Sequence, residues 1–310
     1  MSPRKFEHFL QIVQAGSVSR AADRLDMSQP ALSRELRELE KELGVSLLKR
    51  HARGVVPTPA GEAFKRRAEL ILGLLDTVRD EVNAAADQPS GRLAFGMPPS
   101  MSGAFTAPLV QAFRERYPAV RLQVREGTST QLRTSLLTRE LDFAVLSAPV
   151  SETQLDVVPF FTEPLVLVGP PGASLPPRPT LTIDEVAEFP LILPIAPNAT
   201  RLLVETAFQQ AGRQPVIALE TDVAPIAQFI ARGLGYTILP SCALTAQALV
   251  SAGMVHARVA GLSVTWLLAV PAGASMSLGT RKLREMLCQH TRAATASSRL
   301  QGSYIGPKTF

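Results

Sequence analysis

No part of this chain limits its fold more than Ser17–Arg53, SVSRAADRLDMSQPALSRELRELEKELGVSLLKRHAR. A short helical pattern, SRAADRLD at 19–26, meets the polar turn Met27-Ser28. A second helix opens at Gln29-Pro30-Ala31 and runs to Gly44, and a β-hairpin carrying Lys49, Arg50 and Arg53 follows. That order is the pattern of a winged helix-turn-helix, which sets one helix in the major groove of double-stranded DNA.

The second helix is specified in detail. Ser28 is a good N-cap, and Pro30 sits in the first turn, where its missing N–H costs nothing. At about 100° per residue, Leu32, Leu36, Leu39 and Leu43 form one stripe. Pro30, Arg34, Arg37 and Lys41 take the opposite face, with Gln29 and Ser33 flanking the first turns, and Glu35, Glu38 and Glu42 take a third. Gln29, Ser33 and Arg34 are therefore expected to point outward at the end where a recognition helix meets base edges. Gln pairs bidentately with adenine and Arg with guanine, and the helix N-terminus favours phosphate. An ordinary amphipathic surface helix shows the same stripe; the cap, the proline, the hairpin and the upstream helix together argue against it.

Upstream, Phe6, Phe9, Leu10 and Val13 recur at helical spacing and Gly16 supplies a stop. Ser19 is the expected cap of the next helix, and Ala21-Ala22 lets it pack closely, a structural role without DNA contact. In the hairpin, Leu47-Leu48 and Val55-Val56 flank the polar loop. Arg50 and Arg53 are suited to phosphates or the minor groove, or are solvated surface charges.

These residues resemble the LysR-type transcriptional regulators. The match lies in Ala21-Ala22, Ser28-Gln29-Pro30-Ala31-Leu32-Ser33, Leu39-Glu40, Leu43-Gly44, Leu47-Leu48, Arg50, Arg53-Gly54 and Thr58-Pro59-Ala60-Gly61. The family often has Phe at Leu48 and an aliphatic residue at Pro57. The resemblance implies a winged helix-turn-helix over 1–58, with DNA contacts from Ser28, Gln29, Pro30, Ser33, Arg34, Arg37, Arg50 and Arg53.

Charge agrees with this reading. Residues 1–67 hold 13 Lys and Arg against 8 Asp and Glu, whereas 68–90 hold 1 against 5. The basic excess sits where phosphate contact needs it, diluted by Glu35, Glu38, Glu40 and Glu42. Cys242 and Cys288 have no metal-ligand spacing, and the four histidines make no HxxxH pair. With neither a signal-peptide core nor a membrane-length apolar run, the expected setting is the cytoplasm.

A long helical segment follows, from about Thr58 to Ala86. Phe64, Ala68, Ile71, Leu75, Val78 and Val82 step by four and three residues, a heptad seam. We read residues 59–90 as a dimerisation helix and hinge, the alternative being packing against the same chain. The resemblance supports pairing, as a homodimer or homotetramer, through this linker helix. Asp87–Gly91 breaks the helix.

Residues from 91 alternate between strand and helix, the sign of an α/β fold. Strands are expected at 92–96, 121–125, 143–147, 165–168, 191–193, 216–219, 236–239 and 267–270. Helices are expected near 104–116, 129–139, 200–211, 223–232, 241–251 and 280–293. LDFAVLS (141–147), ETDVAPIAQFIARGLGYTILP (220–240) and GMPPSMS (96–102) resemble the LysR effector domain, which is similar to periplasmic solute-binding proteins. The resemblance implies two lobes over 91–295, the first at 91–161 plus 267–295 and the second at 162–266. A tail at 296–310 is expected to be disordered. GMPPS and ARGLGYTILP resemble most the nitrogen assimilation control branch.

In open α/β sheets ligands sit at the carboxyl ends of strands, beside helix N-termini. Those ends carry Ser100, Met101 and Ser102; Thr128 and Ser129; Pro194, Asn198 and Thr200; and Thr221 and Val223. Hydroxyls beside free backbone N–H groups suit an anionic small-molecule effector, the alternative for each being to cap its own helix. Arg201 is a candidate carboxylate partner or a solvated surface charge. No catalytic constellation and no cofactor fingerprint occurs. A solute-binding protein and an enzyme with an added DNA-binding domain are the weaker readings. The expectation is a non-enzymatic regulator of transcription, binding promoter DNA and, if an activator, RNA polymerase.

Overall fold

Capping explains where the first helices begin and end. In the computed structural model, which describes residues 1–51, 54–83, 88–150, 153–245, 253–274 and 276–307, α1 spans Pro3–Ala15, α2 Val18–Arg24 and α3 Gln29–Leu43. Gly16 and Gly44, at φ 61° and 70°, close α1 and α3 in the left-handed region that glycine enters without strain. Ser28 caps α3 by accepting the Ala31 N–H. Ser17, rather than the expected Ser19, caps α2 through the Arg20 N–H.

The chain divides into two compact units, the first Met1–Asp87 with Thr138–Glu140 and the second Gln88–Leu137 with Leu141–Phe310. In the first, Phe9 and Ile12 of α1, Ala21 and Ala22 of α2 and Leu32 and Leu39 of α3 are buried together. The wing is the antiparallel pair β1 (Leu48–His51) and β2 (Gly54–Pro57). The Val55 N–H donates to the Gly16 carbonyl at 3.0 Å, docking the wing on the α1–α2 turn.

Helix α4 (Pro59–Asn83) is capped by Thr58, whose hydroxyl accepts the Gly61 N–H at 3.0 Å. Its first turns belong to the same core. The Phe64 ring meets Phe6 and Phe9 edge-on, at centroid distances of 5.3 and 5.1 Å, and Ala68 is buried. Past Ala68 the helix changes character, and Ile71, Leu74 and Val78 are exposed.

The second unit is organised around two long strands. One sheet runs β10 (Thr237–Pro240), β6 (Leu155–Pro171), β11 (Met254–Pro271), β5 (Phe143–Ser147), β3 (Gly91–Met97) and β4 (Val120–Glu126) in spatial order. Strands β3, β4 and β5 are parallel, whereas β6 and β11 pair antiparallel over almost their whole length. Hydropathy patterning picks out only short pieces of β6 and β11, at 165–168 and 267–270. Helices α5 (Ala107–Arg116) and α6 (Ser129–Leu137) belong to the lobe built on β3–β5. The other lobe adds the short strand β7 (Thr180–Leu181), the short helix α7 (Ile183–Val186), the parallel pair β8 (Leu191–Pro194) and β9 (Ile217–Thr221), and helices α8 (Ala199–Gln210) and α9 (Ile226–Ala231).

The crossing region is marked by Thr162 and Thr265, whose hydroxyls lie 3.0 Å apart, and by a register shift between Trp266 and Leu267. Buried phenylalanines fill the core beneath, including Phe95, Phe105, Phe143, Phe160 and Phe161.

Two expectations need correction. The tail is not disordered as far as it is described. Helix α10 (Leu278–Ala296) is followed by β12 (Ser303–Tyr304), which pairs with β6. Leu300 is buried, the Gln301 side chain accepts from Arg258 at 2.8 Å, and Arg292 stacks on Tyr304 at 4.9 Å. A tail poor in core residues is held by the free edge of a strand and by polar contacts, which hydropathy does not report. The helix expected at 241–251 is a short 3-10 turn at Ser241–Thr245, and the rest of that range lies outside the described residues.

Candidate functional site

Helix α3 presents two unlike polar faces. Its acidic side is occupied within the fold: Glu42 holds Lys5 at 2.6 Å and the N-terminal amine at 2.8 Å, Glu38 lies 3.3 Å from Lys5, and Glu35 contacts His8. Lys5 above all, with the amine, lowers the Glu42 pKa to about 2. Glu40 accepts the Leu47 N–H at 2.7 Å and the Leu48 N–H at 3.2 Å, tying the wing to the helix. These carboxylates dilute the charge count without facing the helix's basic side.

On the other side Gln29, Pro30, Arg34 and Arg37 are exposed. Among the described residues Arg34 has no hydrogen bond or ion pair, while the Arg37 Nε donates to the Ser33 carbonyl at 3.2 Å. Ser33 does not point outward as expected. It is 6 % exposed, and its hydroxyl accepts the Gln29 amide at 3.3 Å. Position 33 lies beside Leu32 and Leu36 at the edge of the apolar stripe, and a small side chain there is covered. Ser28 is exposed and serves as the cap. Arg50 lies on β1 opposite Val55, and Arg53 lies outside the described residues.

The second unit holds a cleft at the carboxyl ends of its strands. Of the ten residues named from sequence, Ser100, Thr128, Ser129, Pro194, Asn198, Thr200 and Val223 line it. Met101, Ser102 and Thr221 do not. Met101 is fully buried in the core below, Ser102 opens the turn into α5, and the Thr221 carbonyl accepts the Ile195 N–H at 2.9 Å.

Two of the lining groups are helix caps. Asn198 accepts the Arg201 N–H at 3.1 Å, and Thr128 accepts the Gln131 N–H at 3.3 Å. Ser129 is engaged with Ser147, accepting its N–H at 2.9 Å. The Ser100 and Thr200 hydroxyls, by contrast, have no partner among the described residues. Arg201 is neither solvated nor free: it pairs with Glu205 at 2.7 Å and with Glu220, and donates to the Pro194 carbonyl.

Sequence reasoning missed Ser147 and Trp266. Ser147 ends a strand that was recognised, so the carboxyl-end rule reaches it. Trp266 had no such signal, because its stretch of β11 was not recognised as strand. Its indole N–H donates to the buried Glu163 at 2.6 Å. Glu163 also accepts the Ser241 hydroxyl at 2.7 Å and the Cys242 N–H at 2.6 Å. Burial pushes its carboxyl up, against the opposing effect of these bonds.

Residues 3–62 match the model for the bacterial regulatory helix-turn-helix protein of the lysR family, and residues 86–292 match the LysR substrate binding domain. The chain belongs to the LysR family. The nitrogen assimilation regulatory protein nac of Escherichia coli is 31% identical over 295 residues, covering 93% of this chain and 94% of that one. Its counterpart in Klebsiella aerogenes is 32% identical over 293 residues, with coverage of 93% and 94%. Among solved structures, full-length CbnR complexed with its target DNA superposes with a TM-score of 0.68 at 24% identity, over 95% of this chain and 100% of that one. A cysteine-to-aspartate variant of full-length OxyR from Pseudomonas aeruginosa gives 0.71 at 23% identity, over 94% and 95%.

This LysR-family member is therefore a DNA-binding transcriptional regulator with an effector-binding domain. Regulators of this type bind promoter DNA and small-molecule effectors and form oligomers, and the relatives named are regulators of transcription. Among the described residues no helix is long and apolar enough to cross a membrane, and no group of three or more His, Cys, Asp or Glu could hold a metal ion.

Proposed function

We propose that Gln29 and Arg34 read base edges in the major groove, Ser33 holding the Gln29 amide in place. Ser28, Pro30 and Arg37 border the same surface, and Arg50 and Arg53 of the wing contact phosphates. The observation that carries this reading is the division of α3. Its carboxylates are engaged by α1 and the wing, while Gln29 and Arg34 stay exposed at the helix N-terminal end. A palindromic target then follows from pairing two such units.

Pairing uses the outer half of the α4 seam, Ile71, Leu75, Val78 and Val82, joined by Leu74. Ile71, Leu74 and Val78, exposed along one helix, support it; Leu75 is half-buried and the Val82 side chain lies outside the described residues. Phe64 and Ala68 hold the helix to its own unit instead.

The effector is a small anion bound in the cleft, and no catalysis accompanies its binding. The unpartnered Ser100 and Thr200 hydroxyls support this, together with the Ala199 and Thr200 N–H groups that the Asn198 cap leaves open at the start of α8. Binding shifts the balance between lobe arrangements, and with it the spacing of the paired recognition helices. The protein works in the cytoplasm.

Thiol chemistry is a poor alternative trigger. Burial pushes the thiols of Cys242 and Cys288 up, opposite to the direction a reactive cysteine requires.

Band-shift titration of Arg34→Ala on a cognate and a scrambled duplex tests the DNA reading. The expected loss is about 1–3 kcal/mol on the cognate duplex and little on the scrambled one. Equal losses on both would overturn it.

A further inference from the structure

The cleft has two compartments of unequal size. The inner one, beside Ser100, Thr200 and Trp266, holds about 60 Å³. That is less than half of the ~150 Å³ that admits a benzene ring, so it takes a headgroup and not a whole metabolite. The outer one holds about 410 Å³ and shares Ser129, Ser147, Asn198 and Ala199 with the inner. A ligand with its head inside must lay its remainder along this groove.

Three ionised side chains set the charge of the outer compartment: Arg133, Arg201 and Glu205. Arg201 and Glu205 neutralise one another at 2.7 Å, and Arg201 is held further by Glu220. Arg133 is different. It is half-buried on α6, one turn beyond Ser129, and has no hydrogen bond or ion pair among the described residues. Around it the groove is apolar, with Pro149, Val150, Pro197 and Leu202. A guanidinium is always charged and its planar fork matches a carboxylate, so a half-buried one left unpaired in a groove is complementary to an anion.

We infer that Arg133 is a second anchor of this cleft, and that the effector is a two-ended anion. One carboxylate-like head occupies the inner compartment at the start of α8. A short apolar spacer crosses the groove, and a second anionic group pairs with Arg133. Ser129, which lines both compartments, and Arg133 are four residues apart on one helix, a rise of about 6 Å that a spacer of a few carbons matches. The inference rests on the proposed anionic head site.

Trp266 is the chain's single tryptophan and lines the inner compartment, so its fluorescence reports occupancy directly. The probes are adipate and hexanoate, equal in carbon number and differing in the second carboxylate, titrated into the full-length protein and into Arg133→Met. The wild type should bind adipate about tenfold tighter than hexanoate, the factor worth one charge-assisted pair. In Arg133→Met that ratio should fall to about one, with hexanoate affinity and thermal unfolding unchanged. Equal binding of both acids by the wild type, or a preference that survives the substitution, overturns the role of Arg133 and leaves the head site standing. Quenching by neither acid at saturating concentration overturns both readings.

Discussion

The indole of Trp266 donates to the carboxylate of Glu163 at 2.6 Å, across 103 residues of sequence, and ties the wall of the cleft to the crossing strands. The same carboxylate gathers the Ser241 hydroxyl and the Cys242 N–H. Ser241 reaches on to the Gln301 carbonyl in the folded tail, and the Cys242 thiol to the Ser100 carbonyl in the cleft. One buried side chain thus joins both long strands, the cleft and the chain end.

Glu163→Gln should lower stability by about 1–3 kcal/mol, because the amide turns an N–H₂ toward groups that are themselves donors. The Trp266 emission maximum should move, since the indole loses its carboxyl partner. Burial raises the wild-type carboxyl, so its titration favours the fold most below the ordinary glutamate range and less as pH rises through the raised pKa. The wild type's advantage in Tm over Glu163→Gln should therefore shrink with rising pH. A constant difference would refute the titration.

Glu42 predicts the opposite slope. Its pKa is lowered from 4.5 to about 2, so its ion pairs stabilise α1 against α3 above that range and are lost as pH falls from 4.5 toward 2. Lys5→Met removes the larger cause, and its Tm should fall less steeply over that window than the wild type's. Parallel curves would show that Lys5 is not responsible.

Gly61→Ala should disrupt the wing. A Cβ there would lie 2.0 Å from the Leu47 carbonyl oxygen, a backbone atom that also accepts the Thr58 N–H at 2.9 Å. A loss of at least about 2 kcal/mol is expected, with weaker binding to every duplex because the wing moves as a whole. Gly73→Ala, with open space around it on the same helix, should be neutral or slightly stabilising.

The two halves of the α4 seam should separate in experiment. Phe64→Ala removes a ring packed edge-on against Phe6 and Phe9 and should cost about 3–5 kcal/mol of unfolding free energy. Val78→Asp, at an exposed position, should leave the fold intact and weaken self-association in sedimentation. An unchanged sedimentation profile would remove this seam from the subunit interface.

The helix-turn-helix was legible because its signals are local. The Ser28 cap, Pro30, the leucine stripe and the left-handed glycines each act within a turn or two, and the structure uses all of them. The strand ends were legible for the same reason, which is why most of the proposed cleft residues come together. Periodicity could not say which partner covers a stripe. The seam of α4 reads as one continuous feature, yet Phe64 and Ala68 meet α1 while Ile71 and Val78 stay exposed.

The sequence alone determined the family, the helix-turn-helix and the alternation of most strands and helices, because propensity, capping and hydrophobic period are properties of neighbouring residues. Tertiary structure decided that Ser33 is covered, that the acidic face of α3 is spent on Lys5 and His8, and that the chain end folds onto β6. It also placed Trp266 and Arg133 at the cleft, with Glu163 buried behind Trp266. Burial and charge pairing depend on groups brought together across long stretches of chain, and no window of sequence contains both partners.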